Sequence, residues 1–402
     1  MSRTAQNGSV LSAALLISGT CIGISYFSMP IPTGIAGFVP AVLMTLLVWC
    51  FGVATGLLFA ETVLGHPDGA NLISISNNLL GKGWTWLIGL AFAISMLAYL
   101  IGYIYYTLKS SQWLLSPYFY APDILVLIAI ASLFCLIVYL GMTFACRTNF
   151  ILMCGLLIAF ILMIFHGKQF VIHSLLQKQN WVFIFFAVPI LFGAMGFSFI
   201  LPPLCSYLKR DVHKIRKAIF IGTTIPLIVY LFWQWFMLGS VQSAQYWVLY
   251  EEGLRARDII ILFERFPTLA YPFNFILFFS MTTSIISFGI SLVDFLCDGI
   301  QLPPEQRKGI KRLMLCAAIF LCTALGSYFL SEIALHWLSR LITPIGEVLI
   351  NGIIPVWMVA ISRYYRKIPT PHMLPGGRLT LLILAIGILI LIYLEGIVLI
   401  QT

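Results

Sequence analysis

The groups best placed to do chemistry in this sequence are backbone N–H and C=O groups, released where glycines interrupt two apolar segments. The first interruption is the run 19–23, which reads GTCIG, and a similar run, GAMGF, follows at 193–197. A backbone group freed inside a membrane must line a cavity or bind a ligand, because lipid offers it no hydrogen-bond partner. Paired glycine-broken segments in two halves of a chain indicate a transporter's binding site near the bilayer midplane.

The composition is that of an integral membrane protein. Of the 402 residues, 61% are hydrophobic and 9% are charged, whereas a soluble domain carries about 25% charged residues. The nine cysteines have no metal-binding spacing, so we expect buried thiols, no metal and no cofactor. Apolar runs predict an all-α protein with eleven transmembrane helices, near residues 9–30, 35–62, 84–114, 121–144, 148–166, 181–207, 216–240, 268–297, 312–330, 341–362 and 378–400.

The basic residues predict the orientation of these helices. With the N-terminus in the cytoplasm, sixteen Lys and Arg residues fall on the inner side and seven on the outer side, and the clusters at 209–217 and 307–312 are both inner. The positive-inside rule therefore predicts a cytoplasmic N-terminus and, after eleven spans, an outer C-terminus. Because the membrane accounts for the net charge of +9, we expect no nucleic-acid partner.

The two broken segments also predict internal symmetry within a single domain, 1–402. If they are the first and sixth helices, one five-helix repeat covers 9–166, a second covers 181–362, and 378–400 is an extra helix. Five is odd, so the second repeat enters the membrane from the opposite side. Inverted repeats of this kind support alternating access to a site between them.

At the first break, the N-terminus of the second half-helix suits an anionic group such as a carboxylate. The alternative is a small-residue face for close helix packing. At the second break, Pro189 and Pro202 flank the glycines and favour a kink. Phe192 and Phe197 could pack an aromatic substrate, or the core or lipid. Tyr103, which shares a helix face with Tyr99, is a further candidate contact.

Hydroxyls and acids within the spans are candidates for ion coupling. The hydroxyl run at 280–287 either bonds back to its own helix or ligates a small cation together with freed carbonyls. Intramembrane acids are functional candidates by default, and those in this sequence are Glu61, Asp294, Asp298 and Glu347. Two other classes of protein stay possible: a membrane-embedded lipid enzyme, although the six histidines are dispersed, and a channel.

The motif G-T-x-I-G at 19–23, followed by Met29-Pro30, resembles that of the hydroxy/aromatic amino acid permeases, as do Glu61 and the Pro-x-x-Phe…Gly-Phe pattern at 189–197. The run 215–240 is most similar to the tyrosine-specific members. The resemblance implies the leucine-transporter-like inverted-repeat fold of the APC superfamily. It also implies import of an aromatic amino acid by proton symport across the inner membrane, with tyrosine the first choice and tryptophan or phenylalanine the alternatives.

Carried over by position, the resemblance implies two sets of site residues. The implied substrate contacts are Thr20, Cys21, Gly23, Ile24, Ser25, Tyr103, Phe192, Gly193, Met195, Gly196 and Phe197. Gly19, Ile22, Thr283 and Ser284 are similar to the sodium ligands of the fold's sodium-dependent members, so sodium coupling stands beside proton coupling. The oligomeric state stays open.

Overall fold

The computed structural model describes residues 8–119, 121–251, 266–303, 307 and 309–401 of the chain, and this part is helical, without strands. Some of the residues used in the charge count and the terminal assignment lie outside the described residues: Arg3, Arg255, Arg257, Arg265, Lys308 and Thr402. The orientation of the chain therefore stays a prediction.

Among the described residues, the first half of the chain contains eleven α-helices, several of them short. They are α1 (Val10–Cys21), α2 (Ile24–Ser28), α3 (Pro30–Ala36), α4 (Phe38–Leu64), α5 (Leu72–Leu80), α6 (Lys82–Leu115), α7 (Asp123–Tyr139), α8 (Met142–Gly167), α9 (His173–Leu176), α10 (Val188–Ala194) and α11 (Leu201–Tyr207). Short 3₁₀ turns occur at Lys168–Phe170, Phe183–Ala187 and Ser198–Ile200.

The described residues of the second half form seven helices. They are α12 (Val212–Ser240), α13 (Ser243–Glu251), α14 (Ala270–Gly299), α15 (Ile310–Phe329), α16 (Glu332–Trp337), α17 (Thr343–Tyr365) and α18 (Gly377–Gln401). A 3₁₀ turn at Pro267–Leu269 precedes α14, and a π-helical stretch, Leu338–Ile342, precedes α17. Two more π-helical stretches, Val348–Ile353 and Ile361–Tyr365, lie within α17.

Nine helical segments of the described chain are long and apolar enough to cross a membrane, and α1 with the bent α2–α3 makes a tenth. The predicted helix at 121–144 is present as α7, but its 17 residues are fewer than the ~20 of a typical span. The multi-pass helical architecture is confirmed. The eleventh span and the inverted repeats stay predictions.

Both predicted helix breaks are present. The axis turns by 51° between α1 and α2–α3, where Ile22 and Gly23 lie between the helices. Residues 195–197 likewise separate α10 from the turn that leads into α11. Pro202 lies in the first turn of α11, where its missing N–H costs no helical hydrogen bond. The freed backbone groups of both breaks are buried in protein, as hydrocarbon requires.

The central helix is α14, and 89% of its most apolar stretch is buried. It packs on α6, α8 and α1, while α12 packs on α1 and α4. Gln234 of α12 donates to the Thr45 hydroxyl of α4 at 2.9 Å, which ties these two helices together. The two breaks are therefore held between α12 and α14.

Polar groups at helix ends explain elements that hydropathy did not predict. The short helix α5 begins at the Asn71 cap, and the Asp298 carboxylate accepts from the Ser74 N–H at 2.8 Å and from its hydroxyl at 2.5 Å. Asp298 thus anchors α5 to the end of α14. Asp211 caps α12, and the hydrogen bond from the Lys214 N–H lowers the pKa of the Asp211 carboxyl.

Candidate functional site

The two helix breaks meet at the hydroxyl of Tyr230, on α12. This hydroxyl lies 2.7 Å from the carbonyl oxygen of Cys21, which ends α1, and 2.7 Å from that of Ala194, which ends α10. A tyrosine hydroxyl has one proton, so the two carbonyls share a single donor. No local pattern distinguishes Tyr230 from the other buried tyrosines, all of which need a hydrogen-bond partner.

At the first break, the backbone lies against α6 and α14. A Cβ on Gly23 would lie 2.7 Å from the Tyr103 hydroxyl oxygen and 3.3 Å from Ser284 Oγ. The Tyr103 hydroxyl also lies beside the N–H of Ile24, the first residue of α2. The Thr20 hydroxyl instead donates to Leu16 within its own helix, at 2.7 Å. Glycine at 23 thus leaves room for Tyr103 to reach the first N–H of the second half-helix.

At the second break, two side chains of α17 meet the backbone. Asn351 Oδ1 accepts from the Ser198 N–H at 2.9 Å, and Asn351 Nδ2 donates to Glu347 Oε2 at 2.5 Å. The Tyr99 hydroxyl of α6 donates to Glu347 Oε1 at 2.5 Å. A Cβ on Gly196 would lie 2.4 Å from Glu347 Oε2, so the glycine permits this contact.

The other predicted residues of the second break face different neighbours. A Cβ on Gly193 would lie 3.5 Å from Ser25 Oγ, which places Ser25 between the breaks. The Phe192 ring packs edge-on against Phe51 of α4, with centroids 5.7 Å apart. Phe197 lies on Gly56 and Met195 beside Gly52, both also on α4.

Oxygen atoms from three helices gather around Gly19 and Ile22. The Gly19 carbonyl accepts from the hydroxyls of Ser284 at 3.1 Å and Thr283 at 3.3 Å. The Ile22 carbonyl accepts from Ser280 at 2.6 Å. These bonds bring the four predicted sodium-site residues into one region, with Ser280 added.

A sixth oxygen, Asn149 Oδ1 of α8, also lies beside this cluster. Asn149 is fully buried, and its Nδ2 donates to the Leu15 carbonyl at 2.9 Å. Its Oδ1 has no hydrogen-bond partner within the described residues and would lie 2.9 Å from a Cβ on Gly19. Such an orphaned buried acceptor is costly, and a bound cation would satisfy it.

Two of the four acids predicted as candidates for ion coupling, Glu61 and Asp294, lie in ion pairs away from the breaks. Glu61 binds Arg363 through both carboxylate oxygens, each at 2.6 Å. Asp294 binds Arg312 at 2.6 Å. Glu347 takes part in none of the ion pairs found among the described residues. The buried acid at the breaks is therefore Glu347, which the sequence also offered as a candidate for ion coupling.

Residues 6–394 match the tryptophan/tyrosine permease family. The chain belongs to this family. The permease is 26% identical to a tryptophan-specific transport protein of Haemophilus influenzae, over 72% of this chain and 73% of the relative. It is also 26% identical to a tyrosine permease of Enterobacter agglomerans, over 72% and 73%, and 28% identical to a tyrosine-specific transport system of H. influenzae, over 58% and 59%. The predicted family is confirmed, as is the prediction that the chain is a transport protein and not an enzyme.

We expect Tyr230→Phe to lower the initial rate of substrate uptake by the permease about fivefold, since one buried hydrogen bond contributes about 1 kcal/mol. The ring and its stacking on Tyr26 are kept, so only the donor shared by the two breaks is lost. Tyr246→Phe is the matched control, because the Tyr246 hydroxyl donates to a single carbonyl, Met237 O, at 2.8 Å. Equal losses in the two variants, at equal protein levels, would contradict a role at the breaks.

Proposed function

We propose that this permease imports an aromatic amino acid, tyrosine first, by proton symport through alternating access. The observation that carries the proposal is the pair of carbonyls, Cys21 O and Ala194 O, that share the Tyr230 hydroxyl. A substrate ammonium has three donors and could satisfy both carbonyls at once. Each carbonyl oxygen can accept a second hydrogen bond, so the ammonium would join Tyr230 and link the two half-helices through the substrate.

The substrate's carboxylate would lie at the start of α2, beside the N–H groups of Ile24 and Ser25. A half-helix N-terminus favours a negative group there. Its aromatic ring would face Tyr103, whose own ring stacks on Tyr99 at 6.1 Å and meets Phe288 at 5.1 Å. Aromatic groups pair well in such edge and offset arrangements, which favours an aromatic substrate.

The remaining substrate contacts follow the same two breaks. They are Thr20, Cys21, Gly23, Gly193, Met195, Gly196, Phe192 and Phe197. In this proposal α7 also crosses the membrane, which brings the number of spans to eleven. The two repeats are 9–166 and 181–362, and α18 lies outside both. The N-terminus would be cytoplasmic, and rocking of α1–α4 with α10–α12 would expose the substrate to each side in turn.

The test is uptake by the purified permease in liposomes. Radiolabelled tyrosine should enter saturably when a proton gradient, acidic outside, is imposed, and unlabelled tryptophan and phenylalanine should compete to different degrees. Stronger competition by tryptophan than by unlabelled tyrosine would assign tryptophan as the preferred substrate. Failure of all three to enter or to exchange, in folded protein, would refute the proposed function.

A second candidate is sodium symport, and the orphaned Asn149 Oδ1 is the observation that favours it. Freed carbonyls and hydroxyls coordinate Na⁺ in transporters with broken helices, and Asn149 would add a ligand to Gly19, Ile22, Thr283 and Ser284. If a sodium gradient drives uptake, Thr283→Val should raise the half-saturating Na⁺ concentration at least about tenfold, the loss of one charge-assisted ligand. Thr323→Val is the control, because Thr323 is equally buried but bonds only its own helix. Equal effects in both variants would exclude a sodium ligand at Thr283.

A further inference from the structure

Glu347 is an acid in the core of the membrane domain, placed at the second helix break. Its residue surface is 8% exposed, and it belongs to the first turns of α17. Its two carboxylate oxygens have different partners: Oε1 accepts from Tyr99 and Oε2 from Asn351, both at 2.5 Å. Both donors are neutral groups, unlike the arginines that bind Glu61 and Asp294.

A buried carboxylate without a cation is expensive in its charged form, so the structure must also accommodate the neutral form. Tyr99 provides for this, because its hydroxyl lies 3.1 Å from a second acceptor, the Thr343 carbonyl. When Glu347 Oε1 gains a proton, it can donate to the Tyr99 oxygen. The Tyr99 hydroxyl then turns its own proton to Thr343. Glu347 Oε1 and the Tyr99 hydroxyl keep a hydrogen-bond partner in both states, and Tyr99 itself neither gains nor loses a proton.

The second carboxylate oxygen connects this proton to the helix break. Asn351 donates to Glu347 Oε2 and, through its own oxygen, holds the Ser198 N–H at 2.9 Å. A hydrogen bond to a charged carboxylate is about twice as strong as one to a neutral group. Protonation therefore weakens the bond from Asn351 to Glu347, and a less firmly held Asn351 side chain holds the Ser198 N–H, just after Gly196, less firmly in turn.

Other titratable groups face Glu347 from the surrounding helices. Tyr99 and Tyr103 approach from α6, Cys21 from α1, Tyr230 from α12 and Glu395 from α18. Glu395 is the acid among them, and its charge opposes a second negative charge at Glu347.

We propose that Glu347 is the site where the symported proton binds, and that Tyr99 and Asn351 relay its charge state to the second helix break. This inference rests on the proposed aromatic amino acid transport. It assigns the proton to a residue outside the ion pairs of Glu61 and Asp294.

The test uses Glu347→Gln, which mimics the protonated carboxyl, in liposomes with labelled tyrosine. We expect saturable tyrosine exchange, which needs no net proton movement, to persist in Glu347→Gln at a reduced rate. Accumulation driven by a proton gradient should fall to the level of facilitated equilibration, and exchange should lose its dependence on pH. Glu395→Gln is the control and should retain gradient-driven accumulation.

Three results would overturn the assignment. The first is gradient-driven accumulation by Glu347→Gln at the wild-type level. The second is loss of tyrosine binding at every pH in folded Glu347→Gln, which would make Glu347 a substrate ligand. The third is uptake by the wild type that needs only sodium. Absence of aromatic exchange in the wild type would instead refute the proposed function. If Glu347→Gln does not fold, Tyr99→Phe removes the relay alone, and it should shift the pH midpoint of exchange. An unchanged midpoint in Tyr99→Phe would likewise overturn the assignment.

Discussion

Gly196→Ala is expected to reduce uptake about 100-fold while the permease stays folded. The added Cβ would lie 2.4 Å from Glu347 Oε2 and 2.7 Å from Asn351 Nδ2, and real Cβ atoms do not approach so closely. Tyr99 holds the other Glu347 oxygen, and the Ser198 N–H holds Asn351 Oδ1. Relief of the clash must therefore break one of these buried bonds, each contributing about 1.5–3 kcal/mol where a charged group is involved, and each 1.4 kcal/mol is tenfold in rate.

The control for Gly196→Ala is Gly396→Ala. Gly396 lies within α18, and no atom lies within 4 Å of the position its Cβ would take. Alanine there should keep uptake and slightly favour the helix, because glycine costs about 1 kcal/mol in a helix interior. Initial rates at matched protein levels, with melting temperatures in detergent, measure both effects. Wild-type uptake by Gly196→Ala would show that the contact between α17 and the second break is dispensable.

The sequence predicted the features that depend on residues close together in the chain. Glycine pairs and flanking prolines weaken a helix at their own positions, so both breaks could be predicted at 19–23 and 193–197. The helices followed from the length of apolar runs, although α7 is shorter than predicted and α5 was missed. The Asp298 carboxylate that anchors α5 binds Ser74, 224 residues away, and no local pattern reports such a bond.

The roles of the buried acids could not be ranked from sequence for the same reason. In the sequence, Glu61, Asp294 and Glu347 are all acids within apolar runs. What separates them is the partner, and Arg363 is 302 residues from Glu61 in the chain. The role of Tyr230 could not be predicted either. Its hydroxyl lies beside two carbonyls that belong to helix breaks far apart in the sequence. Long-range polar contacts thus determine which of the candidate residues form the site.

Glu61→Gln is expected to lower the free energy of unfolding by about 3–5 kcal/mol, the usual cost of leaving one partner of a buried ion pair alone. The Glu61 side chain is 1% exposed and that of Arg363 is 6% exposed. Glu61 also accepts from the Met373 N–H at 2.8 Å, so it fastens the end of α4 to α17 and to the segment that follows. Thermal unfolding in detergent would measure the loss.

Two further variants separate this ion pair from a coupling role for Glu61. Lys109→Gln breaks an exposed pair with Asp123, whose side chains are 47% and 42% exposed, and should cost at most about 1 kcal/mol. The double variant Glu61→Gln/Arg363→Gln should recover part of the stability, because it removes the uncompensated charge as well. An unchanged melting temperature in Glu61→Gln, together with lost proton-driven accumulation, would assign the proton to Glu61. A lower melting temperature, with proton-driven accumulation retained by the folded fraction of Glu61→Gln, would assign Glu61 a structural role. The symported proton would then stay assigned to Glu347.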